Sequence, residues 1–517
     1  GEIALLAGGT RSAGVRAVRD SLLLRLDTTA FDRIAARHPA WLRRMAGRIA
    51  VRLRDRTSGG GPQRRFLKTI AFVPLDDTAP VRELAARLAD ALRRHGTVAT
   101  LTPERLSELG GAADASPDRM DAARVDRLAA LEDAHRFLLY VTPPDAGAAS
   151  KLAVRHADLV LLVGRAGTDA ASRAWEPALF DDAGGPVVRR ALVLLHDGAP
   201  THLQGTDAWL GARRLDFHLH LRDGVAADLD RLARVLSGEA LGLVLGGGAA
   251  RGFAHLGVYR ALHEARLPVD WVGGASIGSV MGAAVAFGLP PDEAIALARR
   301  AFVDGKPFGD VTLPVISLLR GRRMERLLAE HLPGRIEDLP LPYFCVSSNL
   351  GSGTLQVHDR GPLAPAVRAS VSLPGVFPPA VIDGQLTIDG GILDNLPVEL
   401  MRRRPVARVV AVDVTSRQTF TVDYSRVPSP WAVLGGRFLP FVRRRRVPSF
   451  MSLMLKATEI GTMSEVRAAG ERADLLIRPA VSRFGITDVR SFDRIVQAGY
   501  EEACRAIHGW KAGVPTG

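Results

Sequence analysis

Leu241-Gly242-Leu243-Val244-Leu245-Gly246-Gly247-Gly248-Ala249-Ala250-Arg251-Gly252 is the stretch from which the fold is read. A short apolar run stops abruptly at three glycines, and residues 253–265 then read as a helix. An apolar run of that length bounded by turn residues is the pattern of a buried strand. A glycine-rich turn between strand and helix leaves backbone N–H groups unpaired and lets a ligand approach closely. The positive end of the helix dipole then favours an anion. Three readings stand at this point: a bound phosphate, an oxyanion formed during acyl transfer, or a tight turn with only a structural role. The dinucleotide form of a phosphate site needs an acidic residue at the end of the following strand. Here the next strand candidate, 269–272, runs into Gly273-Gly274-Ala275-Ser276, so that form fails.

The second informative stretch is Gly274-Ala275-Ser276-Ile277-Gly278, between that strand and a helix over 277–287. A G-x-S-x-G turn holds serine at a sharp corner with its hydroxyl exposed, and small flanking residues relieve the crowding. The alternative is a small-residue motif for helix packing; its place one βα unit after the glycine loop favours the chemical reading. A serine nucleophile of the usual kind then needs an acid and a histidine. The later histidines are His331 at a helix end, His358 in a hairpin-like stretch and His508 on an amphipathic helix, none in a glycine-supported loop. A third stretch, Leu386-Thr387-Ile388-Asp389-Gly390-Gly391-Ile392 with Asn395 and Pro397, projects a carboxylate from a close-packed loop. Alone it reads as an ordinary Asp-Gly turn.

Taken in order, these stretches resemble the patatin-like phospholipase family, in particular its neuropathy-target-esterase branch. The resemblance runs through residues 241–510 and includes His255-Leu256-Gly257-Val258 and Ser370-Val371-Ser372-Leu373-Pro374-Gly375-Val376-Phe377. It implies an α/β fold, with a three-layer α/β/α catalytic domain over 241–517, and a serine esterase acting on acyl esters of phospholipids or lysophospholipids. It also implies a Ser–Asp dyad without histidine, working through an acyl-enzyme, with no metal and no cofactor. Carried over, Ser276 is the nucleophile and Asp389 the base. Gly247, Gly248 and Ala249 form the oxyanion hole, and Gly246, Arg251 and Gly252 support its loop. Gly274 and Gly278 shape the elbow, and Gly390 and Gly391 the aspartate loop. The branch usually has a fourth glycine where this chain has Ala249. An alanine with negative φ still donates its N–H, so a working hole of slightly altered geometry is expected.

A shorter resemblance lies at the start of the chain. Gly1-Glu2-Ile3-Ala4-Leu5-Leu6 followed by Arg11-Ser12-Ala13 looks like the phosphate cassette of a cyclic-nucleotide-binding domain. That resemblance implies Glu2 at the ribose and Arg11 at the cyclic phosphate. The first half of such a domain is absent, so residues 1–56 read as a partial domain and nucleotide binding by this chain is not expected. The opening residues look like the middle of a domain, and the chain is expected to continue upstream. A competing reading of the whole is a catalytically weak regulatory protein responding to cyclic nucleotide. Intact Ser276 and Asp389 favour the hydrolase, and a histidine-triad esterase would need one late histidine beside Ser276.

The remaining features bound the setting. A chain of 517 residues needs several domains. Residues 57–65, with Gly59-Gly60-Gly61-Pro62, read as a linker. Residues 66–240 alternate strands (70–73, 137–141, 159–163, 191–195) with helices (81–94, 122–134, 226–236), which argues for a second, Rossmann-like α/β domain. Its first strand runs into Pro74-Leu75-Asp76-Asp77 with no phosphate loop, so a structural or regulatory role is expected. Two distant cysteines, Cys345 and Cys504, suit a reducing cytoplasm. The net charge of +13 reads as a solvated basic surface or as attraction to an anionic membrane, and no nucleic-acid motif accompanies it. Residues 272–291 are charge-free and long enough to span a bilayer, but their glycine, alanine and serine content favours buried elements. Trp431, Phe438, Leu439 and Phe441 beside Arg443-Arg444-Arg445-Arg446 suit a lipid interface or a solvated loop. A cytoplasmic protein in peripheral contact with the inner face of the membrane is therefore expected.

Overall fold

Two sheets organise the chain in the computed structural model, which describes residues 26–39, 67–108, 122–180, 188–416, 425–429 and 450–513. Glu2, Arg11, the linker 57–65 and the basic aromatic stretch 431–446 lie outside the described residues. So do residues 1–25 and 40–56; what is described between them is centred on a helix, Thr28–Arg37, whose N-cap Asp27 accepts the Ala30 N–H at 2.7 Å.

The first sheet holds β1 (Thr69–Pro74), β2 (Val98–Leu101), β3 (Phe137–Val141), β4 (Leu159–Arg165), β5 (Arg189–His196) and β6 (Phe217–Arg222), in the order β2-β3-β1-β4-β5-β6. β1 runs parallel to β3 and β4, and β2 parallel to β3. Between β1 and the helix Val81–Leu92 no glycine occurs; Asp76 instead folds back to accept the Thr78 N–H at 2.9 Å. By packing, the chain divides into two compact units. One comprises Gly1–Arg165, Ser172–Val193 and Leu215–Phe217; the other comprises Ala166–Ala171, Leu194–Arg214 and His218–Gly517.

The second sheet holds β7 (Leu241–Leu245), β8 (Trp271–Ala275), β9 (Tyr343–Asn349), β10 (Leu355–His358), β11 (Ala380–Ile382), β12 (Gln385–Asp389), β13 (Arg408–Val412) and β14 (Leu475–Ile477). Its order is β11-β12-β9-β8-β7-β13-β14, with β10 also on β9. Strands β14, β13, β7, β8 and β9 are parallel, whereas β10 and β12 run antiparallel to β9 and β11 antiparallel to β12. The sheet is therefore mixed.

Alternate strand residues face opposite sides. On β7, Leu241, Leu243 and Leu245 join a core with Phe253, Leu256, Val280 and Phe492. Gly242, between them, lies under Met401 of the helix Val398–Arg402 on the other side. Helices thus cover both faces, which is the three-layer α/β/α arrangement. Residues 272–291, charge-free and apolar, prove to be the end of β8 and the buried helix Ile277–Ala286. No helix among the described residues is long and apolar enough to cross a membrane.

Candidate active site

Strand register places the site. A strand has two edges, and β9 has three partners. β8 pairs with residues 343–346, β12 with 347–349 and β10 with 345–348, so β8 and β12 must share one edge, end to end. Ala275 stands opposite Val346 and Asp389 opposite Ser347, one position further along. The chain turns at Ser276 just as β12 arrives from the opposite direction. The two side chains meet there: Ser276 Oγ donates to Asp389 Oδ2 at 2.7 Å.

Ser276 has φ 54° and ψ −130°, a backbone conformation that L-residues avoid. Its surroundings enforce it. The Ser276 N–H donates to Ser370 Oγ at 3.0 Å, and its carbonyl accepts the Ser279 N–H at 2.9 Å. A Cβ on Gly278 would run into the Leu245 carbonyl, and one on Gly274 into the Gly278 backbone, so neither position admits a side chain. The helix Ile277–Ala286 starts immediately after Ser276 and directs its positive end there.

The aspartate loop is equally constrained. Asp389 Oδ1 accepts the Gly391 N–H at 2.8 Å, and the Asp389 carbonyl accepts from Ser348 Oγ at 3.0 Å. A Cβ on Gly390 would meet the Val346 carbonyl. Asp389 is 4% exposed, and this burial pushes its carboxyl up to about 7 against the two hydrogen bonds that favour the charged form. Such a carboxylate is a far better base than a free one and is still substantially ionised at neutral pH.

The glycine loop closes the site from the β7 side. Gly246 N–H donates to Val412 O at 3.0 Å, and its carbonyl accepts from His255 Nε2 at 2.8 Å. Burial pushes His255 down to about 4, which keeps it neutral in this role. Gly247, expected as an oxyanion donor, is occupied: its N–H donates to Asn395 Oδ1 at 3.2 Å, with Asn395 O at 3.4 Å. Asn395 Nδ2 in turn donates to Gly247 O at 3.4 Å, so the glycine is pinned on both sides of its chain. The N–H groups of Gly248 and Ala249 have no acceptor among the described residues. Ala249 has φ 52°, not the negative value expected of an alanine, so it carries strain at a position suited to glycine. Arg251 is buried and its Nε donates to Phe484 O at 3.1 Å, while Gly252 gives the side chain of Ile277 room to pack.

A cavity opens onto Ser276 and Asp389 and is walled mainly by Phe302, Phe308, Met324, Val376 and Phe377. A second, apolar cavity shares Val280, Phe302 and Met324 with it. His331 lines that second cavity, His358 meets Ser347 Oγ at 2.7 Å and His508 is exposed. No histidine among the described residues hydrogen-bonds Ser276 or Asp389. No cluster of metal-ligating side chains occurs among those residues either. Asn395, Ser370 and His255 all stand in the stretches that carried the family resemblance, but sequence reasoning gave them no role. Asn395 and Ser370 act on backbone 148 and 94 positions away, and His255 on a carbonyl 9 positions back across a turn, none of which local pattern reveals.

Residues 243–402 match the family model of patatin-like phospholipases, and residues 66–231 match that of the Neuropathy Target Esterase family P-loop like domain. Lysophospholipase NTE1 of Mycosarcoma maydis is 30% identical across 99% of this chain and 31% of its own length. Patatin-like phospholipase domain-containing protein 7 of Rattus norvegicus is 30% identical across 99% of this chain and 42% of its own. This chain therefore spans less than half of either relative. An uncharacterized NTE family protein of Mycobacterium bovis is 30% identical across 98% of this chain and 84% of its own length.

Proposed function

This chain belongs to the neuropathy target esterase family, and we propose that it hydrolyses acyl esters of phospholipids or lysophospholipids through Ser276 and Asp389. The observation that carries this reading is the 2.7 Å hydrogen bond from Ser276 Oγ to Asp389 Oδ2 at the floor of an apolar cavity. Asp389 takes the hydroxyl proton as Ser276 Oγ attacks the ester carbonyl. The unpaired N–H groups of Gly248 and Ala249 receive the negative charge that develops on the carbonyl oxygen, each worth roughly 3–4 kcal/mol in such a site. Protonated Asp389 then gives its proton to the departing alkoxide, leaving the acyl group on Ser276. Water enters, Asp389 takes its proton, and the fatty acid leaves as Ser276 is regenerated. Peripheral contact with a lipid surface belongs to the same reading, with the aromatic and arginine residues of 431–446 as one contributor.

A fluorophosphonate probe tests the centre of this reading. Stoichiometric labelling of the wild type, abolished in a folded Ser276→Ala variant, is the expected result. Equal labelling of that variant, or turnover of lysophospholipid by it, would remove Ser276 from the chemistry.

A further inference from the structure

Between two residues of the catalytic cavity wall, Phe308 and Met324, the chain projects as a finger. Its two sides pair at Val311 and Leu319, with Thr312 N–H donating to Leu318 O at 3.0 Å and Arg320 N–H to Asp310 O at 2.9 Å. The returning side is fastened to the cavity wall. Leu318 N–H donates to Gly375 O at 2.9 Å and Leu319 N–H to Val376 O at 3.0 Å, and Val376 itself lines the cavity. Ser317 is buried, with its hydroxyl on Leu319 O at 2.7 Å. At the tip Pro314 turns the chain tightly, and Val315 N–H donates to Leu313 O across it at 2.8 Å.

The root is fixed, and the tip is apolar and exposed. Val311, Leu313, Val315 and Ile316 are 71%, 79%, 82% and 71% exposed. Large aliphatic side chains concentrated at one projecting point do nothing for the core and mark a contact surface. The surrounding charge is equally specific. Lys306, Arg320, Arg322, Arg323 and Arg326 are exposed, and none of their side chains pairs with a carboxylate among the described residues. Of the acidic side chains nearby, Glu325 is directed to Arg368 at 3.3 Å, Asp310 accepts the Arg323 backbone N–H at 3.1 Å, and Asp304 is exposed beside Lys306, so the basic residues outnumber them.

The geometry points to a lipid-docking finger. Leu313, Val315 and Ile316 enter the hydrocarbon edge of a bilayer or micelle while the basic collar stays level with the phosphates, which sets the cavity mouth on the lipid surface. A tip with purely aliphatic side chains suits hydrocarbon, the collar suits phosphate, and the root is continuous with the wall of the cavity that must receive an acyl chain. The choice of lipid as partner rests on the ester-hydrolase reading of that cavity.

The test uses the full chain and vesicles of phosphatidylcholine with phosphatidylglycerol, at high salt so that arginine attraction elsewhere is screened. A double variant, Leu313→Asp with Ile316→Asp, is expected to bind at least about tenfold more weakly. It should also lose turnover of vesicle lipid while keeping wild-type turnover of a water-soluble short-chain ester. In a separate Ile316→Trp variant, fluorescence should shift to the blue and be quenched by bromine-labelled acyl chains beyond any change in the wild type. Unchanged vesicle binding by the double variant, or a wild type that does not bind vesicles, overturns the inference. If the double variant instead dissociates a dimer and binds vesicles normally, the finger contacts a second copy of the chain. A wild type that cleaves no ester but loses vesicle binding in the double variant keeps the finger and removes the hydrolase reading.

Discussion

Asn395 holds Gly247 by both sides of its backbone, accepting its N–H at 3.2 Å and donating to its carbonyl at 3.4 Å across 148 positions of sequence. The side chain thereby locks the loop after Asp389 to the loop bearing the unpaired N–H groups. Asn395→Ala should free that loop without touching either dyad side chain. We expect kcat to fall roughly 10- to 100-fold with little change in KM, as for a small misplacement of transition-state donors. Steady-state kinetics on a soluble ester checks this; a change confined to KM would place Asn395 in substrate binding instead.

Activity should follow the ionisation of Asp389. Its carboxyl is pushed up to about 7, and only the charged form accepts the Ser276 proton. The kcat/KM profile should therefore rise through an apparent pKa near 7 and fall steeply in acid. A profile flat from pH 5 to pH 8 would exclude this base.

The same residue should show a trade between stability and activity. Because the folded pKa is raised above the unfolded value, the folded state binds the extra proton between pH 3.8 and about 7, and stability falls as pH rises across that window. Asp389→Asn is expected to abolish turnover and to stabilise the fold at pH 8 by up to about 4 kcal/mol, a gain that disappears below pH 4. Denaturant unfolding at the two pH values decides it.

Ala249→Gly should relieve the backbone strain at φ 52° while leaving the N–H in place. The lower strain outweighs the extra freedom of an unfolded glycine by only about 0.5–1 kcal/mol. A small rise in melting temperature with turnover retained is the expected outcome. A loss of turnover would mean that the alanine methyl itself shapes the hole.

Replacing His331, His358 or His508 singly by alanine should leave fluorophosphonate labelling within about twofold of wild type, since none touches the dyad. Any one as inactive as Ser276→Ala would restore a histidine mechanism.

Much of this architecture is legible in the sequence because burial on both faces demands uninterrupted apolar runs. Leu241–Leu245 and Phe137–Val141 form strands with the bounds their pattern predicts. β8 is displaced from 269–272 to Trp271–Ala275 because Gly273 and Gly274 read as turn. In the fold they are strand, small because Phe344 covers one and the Gly278 backbone the other. β12 is legible as the apolar run before Asp389 and β10 as the hairpin-like stretch at His358, whereas β11 escapes notice because it is short and partly exposed, so no alternation builds up. The helix Phe450–Arg472 lacks a clear apolar stripe. Ser276 and Asp389 stand out through their glycines, whereas the shared edge of β9 that joins them is a property of topology and leaves no local trace.

The left-handed backbone of Ser276 also has an evolutionary consequence. Every L-residue placed there inherits the strain, and only glycine escapes it. Selection for ester turnover must hold the serine against a standing thermodynamic preference for its loss. Once that selection lapses in a lineage, drift at this site has a favoured direction. Descendants that keep the fold but abandon the chemistry should carry glycine here more often than alanine, threonine or cysteine.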